Sequence, residues 1–481
     1  LNAIAAIKTT ALGRPDIAIM NLFGTNVSAL GNHEFDLGSP VLSGAFAPSG
    51  TWAGAQFPFI TANLDFSGDS SLKGIADASL GGTATNAFAG KEASEIKAKI
   101  APYTIVTKGG EKIGIVGATT WDLLIKSSPN GTKVKDDAND ATTDLQEVAA
   151  YVQASVNALI AAGVNKVVMV DQLDGLIERN KALAPLLSGV DVMVAGGGHE
   201  RLGDTNDVPV AFNGHDGNFI STDTYPIVVN DKDGKPTVIV TTDTEYSYLG
   251  RLIVNFDANG NVITSALDDK LNGAYAASAS ALKAAYGTGQ STEEIVANSA
   301  IGKAVAEITS SIDKVIASKD GTVYGYTNVY LEGDRVFGRA QEVNLGNLTA
   351  DANLFVASKA LGSASVITSL KNGGGIRASV GTIDGNGTKG KPAASEVKPA
   401  GAISQLEIEN ALRFDNKLMV FDTTPSGLLA ILNHAAGLSA GNGGYAQIGG
   451  IRFSFDPSKP VGQRVQDVAI VDLGGTLISK I

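Results

Sequence analysis

Gly31-Asn32-His33-Glu34-Phe35-Asp36 follows two apolar runs, Ile17 to Met20 and Val27 to Leu30. The glycine lets the backbone turn close to a ligand. Asn32 offers a neutral oxygen suited to a hard or borderline metal ion. His33 can act toward a phosphate as a cation or a proton donor. Asp36, three residues on, is placed to accept the imidazole's other N–H and fix its tautomer. The competing interpretation is a polar turn with a chance histidine.

A length of 481 residues suggests two or three domains, and 44% hydrophobic residues against 18% charged ones supply substantial cores. With 57 glycines and 15 prolines, many tight turns are expected. The net charge of −12 argues against nucleic-acid polymers as partners and favours a soluble, self-repelling surface. The absence of cysteine excludes disulfides, thiolate metal sites and cysteine nucleophiles. That absence fits an exported bacterial protein, whether extracellular, on the cell surface or periplasmic. No run of about 18 apolar residues is present, so no transmembrane helix is expected. No signal peptide is expected within these residues. The opening Leu1-Asn2-Ala3-Ile4 reads as the start of a mature or trimmed fragment.

Residues 1–30 read as a helix, a turn at Gly13-Arg14-Pro15 and a second apolar stretch. Tyr103 to Thr107 and Lys112 to Gly117 read as paired strands about Gly109-Gly110. Leu145, Val148, Val152, Val156 and Leu159 share one helical face over 144–162. Val164 to Val170 and Val190 to Ala195 read as buried strands around a helix from Ile177 to Leu187. Strand–helix–strand with continuous apolar strands signals a covered α/β sheet. Thr237 to Thr242 and Leu252 to Phe256 close this first domain. Residues 275–318 are Ala-rich and helical in period, and 381–402 form a solvated loop.

A second constellation is Val194-Ala195-Gly196-Gly197-Gly198-His199-Glu200. A histidine after glycines at a strand end sits where α/β sheets place ligands, and the competing interpretation is a chance loop histidine. His215 has no such context, and His434 on an apolar helix reads as structural. A third group is Arg335 and Arg339, flanking a strand-like Val336-Phe337 and followed by Glu342 to Asp351. The fourth is Asn372-Gly373-Gly374-Gly375-Ile376-Arg377. Its glycines permit close approach, and a guanidinium fork suits phosphate or carboxylate. Surface salt bridges compete for each arginine. Phe414 and Tyr445 suit stacking on a planar base, with core packing as the alternative.

Together these motifs resemble the 5'-nucleotidase family of secreted bacterial metallophosphoesterases. The resemblance extends from Asp16 to Gly38, through Glu245 to Arg251 and Tyr330 to Gly333, to Asn344–Asp351, Lys371–Arg377 and Ile408–Phe414. It implies an α/β protein in three parts. Residues 1–270 would form a two-sheet α/β sandwich metallophosphoesterase domain, 271–322 a helical connector, and 323–481 a smaller α/β substrate-binding domain. By the resemblance, His33 and Asp36 are the catalytic dyad. Asn32 and His199 are metal ligands, and Gln172 stands where the family has a ligating histidine. Arg335, Arg339, Asn372 and Arg377 hold the substrate, with Phe414 and Tyr445 stacking on its base. The implied cofactors are two divalent metal ions (Zn, Mn, Mg or Ca) with a bridging hydroxide. The implied substrate is a 5'-nucleotide or related phosphate ester.

The family's Asp-x-His and Gly-Asp motifs do not occur before Asn32, and its closing Gly-Gly-Asp-Gly segment is not reached by Ile481. Further segments at both ends are therefore expected. Arg201 replaces a neutral residue two positions after His199, and as a cation it would repel a metal. Asp171, Asp174 or Glu200 are candidate substitute oxygen ligands, favouring a harder metal. Two functions follow. One is an exported phosphomonoesterase. The other is a catalytically degenerate relative that binds nucleotides or serves as a surface or assembly protein.

Overall fold

The computed structural model describes residues 12–77, 87–135, 144–174, 177–198, 200–208, 223–243, 246–287, 289–362, 367–384, 387–414, 416–438 and 442–481. The chain divides into two units, Leu1–Ser310 and Ser311–Ile481. Helix α1 (Arg14–Leu22) begins where the sequence suggested a turn. Gly13 takes the left-handed conformation (φ 79°) and Pro15 occupies the first turn, where its missing N–H costs nothing. The helix expected before it lies outside the described residues.

Two parallel-centred sheets build the first unit. The smaller runs β1 (Ser28–Ala29), β2 (Phe59–Ile60), β3 (Ile100–Ala101), all parallel. The larger has six strands: β4 (Tyr103–Lys108), β5 (Glu111–Thr119), β6 (Val167–Gln172), β7 (Val192–Val194), β8 (Ile227–Asn230) and β9 (Pro236–Val240). Their spatial order is β8-β9-β7-β6-β5-β4. The four central strands are parallel, and each edge strand is antiparallel to its neighbour. Helix α2 (Ser39–Phe46) follows the hexapeptide, and the short α3 (Leu123–Lys126) follows β5. Helix α4 (Asp144–Ala161) buries Val148, Val152, Val156 and Leu159, the stripe expected from the sequence. Helix α5 (Glu178–Leu183) leads from β6 toward β7.

The two sheets meet where Ile60 and Ala101 pack with Val170. Gly117 on β5 permits this approach, since a Cβ there would lie 2.2 Å from the Ile60 carbonyl oxygen. A small residue is therefore required at that point of the strand. Leu252 to Phe256 does not form a strand. The ladder uses β10 (Tyr248–Arg251) against β11 (Gly273–Ala276) instead. The Ala-rich segment forms α6 (Ala279–Tyr286), α7 (Thr292–Asn298) and α8 (Ala300–Asp320). Ser291 and Glu294 form a capping box on α7.

In the second unit β12 (Val323–Tyr326) leads to α9 (Arg335–Gly338) and α10 (Asn344–Leu361). Strand β13 (Ser369–Asn372) and strand β15 (Ala446–Gly449) pair antiparallel. Between them lie β14 (Ala402–Ser404), α11 (Gln405–Ala411) and α12 (Pro425–Gly437). A final antiparallel sheet comprises β16 (Ile451–Phe455), β17 (Val465–Val471) and β18 (Leu477–Lys480). Val336-Phe337, read as strand-like, is helical. Asp334 caps that turn by accepting from the Val336 N–H at 2.7 Å. His434 is exposed on α12 rather than packed beneath it, and His215 lies outside the described residues.

Gly117→Ala should destabilise the first unit by about 3 kcal/mol, the upper range for overpacking, because the added methyl meets backbone rather than a movable side chain. Urea unfolding followed by tryptophan fluorescence measures this. An unchanged midpoint would show that the sheets are not held this closely.

Candidate active site

The hexapeptide forms a single 3-10 turn, His33–Phe35, directly after the end of β1. Phe35 is fully buried and anchors the turn, with Asn32 buried before it, Glu34 and Asp36 partly buried and His33 exposed. Glu34 folds back to accept from the Gly31 N–H at 2.7 Å. Burial raises the Glu34 pKa above its usual range, opposed by that N–H and by His33. Gly31 has to be small because a Cβ would lie 2.8 Å from Gln172 Cγ.

His33 Nδ1 lies 2.7 Å from Asp36 Oδ2, with the histidine side chain 49% exposed and the aspartate 18%. The carboxylate accepts from Nδ1 and leaves Nε2 as the ring atom that handles a proton. Asn32, by contrast, is buried. Its Oδ1 accepts from Gln172 Nε2 at 2.6 Å, and its N–H donates to Gln172 Oε1 at 3.3 Å. Gln172 ends β6, opposite Thr119 of β5. Asn32 and Gln172 thus meet as the sequence implied, but as two amides bonded to each other.

His199 lies outside the described residues. The loop before it abuts the same point, since a Cβ on Gly197 would fall 2.6 Å from Gln172 Nε2. The three substitute oxygen ligands are otherwise engaged. Both Asp171 oxygens accept from Asn180 Nδ2, at 3.0 and 2.9 Å. Burial pushes the Asp171 carboxyl up to about 7 despite the bonds from Asn180 and the Gly196 and Leu173 backbone. Asp174 pairs with Lys126. Glu200 accepts from the Ile177 N–H at 2.6 Å. Arg201 does not stand as an uncompensated cation, because its Nε lies 3.5 Å from the buried Asp243 carboxylate. Among the described residues no three His, Asp or Glu side chains are grouped to hold a metal.

In the second unit the glycine turn Gly373–Gly375 gathers the other candidates. The Gly373 N–H donates to the Tyr445 carbonyl at 2.7 Å, and the Gly374 N–H to Gly443 at 2.8 Å. A Cβ on Gly443 would lie 4.0 Å from the Arg339 guanidinium carbon. One on Gly375 would lie 3.1 Å from Asn372 Oδ1 and 3.2 Å from Lys371 Nζ. Burial lowers the Lys371 pKa below the usual lysine range. The Arg377 guanidinium sits 5.4 Å from the centre of the Phe414 ring, a cation–π distance. Burial, and then Glu342, raises the Tyr445 phenol. Arg339, Asn372, Arg377, Phe414 and Tyr445 are therefore linked through one turn. Arg335 is exposed on α9.

Several participants carried no sequence signal. Gln447 is fully buried. Its Nε2 donates to the Gly338 and Gln341 carbonyls at 3.0 and 2.8 Å, and its Oε1 accepts from the Val343 N–H at 3.0 Å. It thereby sets the backbone on both sides of Arg339. Ser127 and Asn180 act on the first unit in the same unannounced way.

Residues 323–479 match the family model of the 5'-nucleotidase C-terminal domain. The chain is 27% identical over 477 residues to the trifunctional nucleotide phosphoesterase protein YfkN of Bacillus subtilis (strain 168), covering 97% of this chain and 27% of that protein. It is 28% identical over 466 residues to the snake venom 5'-nucleotidase of Gloydius brevicauda, covering 95% of this chain and 64% of that one. The chain thus spans less than two thirds of these relatives. The solved structure of the 5'-nucleotidase precursor from Thermus thermophilus superposes with a TM-score of 0.65 at 27% identity, covering 98% of this chain and 75% of that one.

Gln447→Leu should cost the second unit about 2 kcal/mol or more, because it leaves the buried Gly338 carbonyl and Val343 N–H, and the part-buried Gln341 carbonyl, without this partner, at about 1–3 kcal/mol for each buried group. Chemical unfolding measures the loss. A change below about 1 kcal/mol would mean that these groups find water or other partners.

Proposed function

We propose that this chain, a member of the 5'-nucleotidase family, hydrolyses the phosphate monoesters of nucleosides. The observation that carries the proposal is the 2.7 Å pairing of half-exposed His33 with Asp36. An imidazole held through Nδ1 presents Nε2 to an ester oxygen, and proton donation there stabilises the departing alkoxide. The Gly373–Gly375 turn supplies the recognition half. Arg339 and Arg377 suit the phosphate, Asn372 offers a neutral polar contact, and Phe414 and Tyr445 suit a planar base. Arg335 contributes charge from the exposed start of α9. Export to an extracellular, cell-surface or periplasmic location is part of the proposal and is supported by the cysteine-free composition. Among the described residues no helix is long and apolar enough to cross a membrane.

The family implies two divalent ions, which would supply Lewis-acid charge and an activated water. The described donors do not fit such a pair. Asn32 and Gln172 satisfy each other, neither carries charge, and Asp171, Asp174 and Glu200 are committed to other partners. This amide pair favours a second reading, in which the protein binds nucleotides with little or no turnover.

Assays of the full-length protein that includes its native N-terminus, using adenosine monophosphate and p-nitrophenyl phosphate across Mg, Mn, Ca and Zn, separate the two. We expect weak turnover that His33→Ala lowers by roughly 100- to 10,000-fold, the scale of a positioned proton donor. Turnover that survives His33→Ala would displace the active site from this loop. No turnover with any metal, together with retained nucleotide binding, would establish the second reading.

Calorimetry with adenosine monophosphate tests the recognition half. Replacing Phe414 or Tyr445 by alanine should weaken binding by about 1–3 kcal/mol per stacked ring. Arg377→Ala should weaken the monophosphate more than adenosine. Affinity unchanged by both aromatic replacements would remove the base from the neighbourhood of this turn.

A further inference from the structure

Asp36 has a second partner besides His33. Its Oδ1 accepts from Ser127 Oγ at 2.9 Å, while its Oδ2 takes the His33 Nδ1 contact at 2.7 Å. The hydroxyl occupies one carboxylate oxygen and fixes the plane in which the other meets the imidazole. We infer that Ser127 is a positioning residue that acts through Asp36 to set the orientation and tautomer of His33. For turnover this rests on the proposed phosphomonoesterase reading, whereas for the state of the imidazole it does not.

Ser127 is itself held. It ends α3, where its N–H donates to the Leu123 carbonyl at 2.9 Å. Helix α3 is pinned to the segment after β6 from both of its ends. At its start, Asp122 pairs with Arg179 at 3.0 Å. Arg179 donates to the Leu173 carbonyl at 2.6 Å and lies 4.1 Å from the centre of the buried Trp121 ring. At its end, Lys126 pairs with Asp174 and donates to the Asp174 carbonyl at 3.2 Å. The turn bearing Leu173 and Asp174 is thus fixed to the helix that delivers Ser127. Gln172, which touches Asn32, is the residue immediately before that turn. Both sides of the hexapeptide, the Asp36 carboxylate and the Asn32 amide, take their positions from one rigid corner. An aspartate in a short turn without such a clamp would have two rotamer-related oxygens competing for the imidazole.

The experiment uses the full chain labelled with nitrogen-15 histidine and read by long-range proton–nitrogen correlations, which report the tautomer of a neutral imidazole. Only four histidines are present, and His33→Ala assigns the signal. In the parent protein His33 should be the Nδ1–H tautomer. Ser127→Ala should give a mixture of tautomers, and Ser127→Thr, which keeps the hydroxyl, should restore the parent spectrum. In turnover, Ser127→Ala should lower kcat roughly tenfold, the lower end of what orienting partners contribute. KM should stay within about twofold and Ser127→Thr should recover the rate, since a positioning defect leaves ground-state binding alone. A tautomer unchanged by Ser127→Ala would overturn the inference. So would a fall in kcat that Ser127→Thr does not rescue. Turnover insensitive to His33→Ala would defeat the phosphomonoesterase reading while the tautomer measurement still decides the role of Ser127.

Discussion

The first unit depends on a buried hydrogen-bond knot around Thr119, the last residue of β5. Thr119 Oγ1 donates to the Leu30 carbonyl at 2.5 Å and shares a 2.8 Å contact with Thr61 Oγ1. Its backbone N–H and carbonyl are both taken by the Asn63 amide, at 2.8 and 2.7 Å. Leu30 is the residue immediately before the hexapeptide. Thr119 is opposite Gln172 in the β5–β6 ladder, so one register places both Leu30 and the amide that meets Asn32. A one-residue slip would turn every side chain of the strand to the other face and separate them. The groups are fully buried, so each unmade bond carries its whole desolvation penalty. The loop owes its position to this knot rather than to its own short turn.

That dependence explains what could be read from the chain alone. The central strands were legible because strands covered on both faces are continuous apolar runs. Helix α4 was legible because its core stripe repeats at helical spacing. The hexapeptide was legible because its six residues act within one turn, and the same is true of Asn372 to Arg377. The partners that orient them come from far along the chain. Ser127 is 91 residues from Asp36, and Gln447 is 104 residues from Val343. No local pattern marks a serine after a one-turn helix as the clamp on a distant carboxylate. Where local reading failed, a competing local or pairing rule won. The Asp334 cap outweighed two apolar residues at Val336-Phe337, and in Leu252 to Phe256 only Phe256 makes a bridge among the described residues, to Val262.

The amides at Asn32 and Gln172 change what the centre of the first unit favours electrostatically. A histidine at 172 would bring a ring nitrogen whose lone pair can ligate a cation. Glutamine brings a donor and an acceptor together, and Asn32 supplies the complement to each. The pair is neutral, and each amide oxygen accepts a hydrogen bond from the other residue. Arg201 is similarly closed off by Asp243, and Asp171 by Asn180. A cation entering here would compete for the Asn32 and Gln172 oxygens with the hydrogen bonds that already engage them. The His33–Asp36 dyad is untouched by this exchange because its clamp reaches it from α3, on other bonds.

The chain carries a net charge of −12, while its proposed ligand is an anion. At physiological ionic strength the Debye length is about 8 Å, so the overall repulsion fades within a few atomic layers of the surface. Attraction therefore has to be built at contact range, and the second unit does so through the backbone. Asn372 immediately precedes the glycine turn and Arg377 follows it by two residues. The turn takes Tyr445 through one carbonyl bond and comes beside Arg339 through the Gly443 contact. Gln447 then holds the strand and the α9 turn in one register. Guanidinium groups on separate flexible loops would each lose freedom on meeting a ligand. Tied to one turn, they share a single ordering cost already met in folding, so short-range charge can outweigh an unfavourable net field.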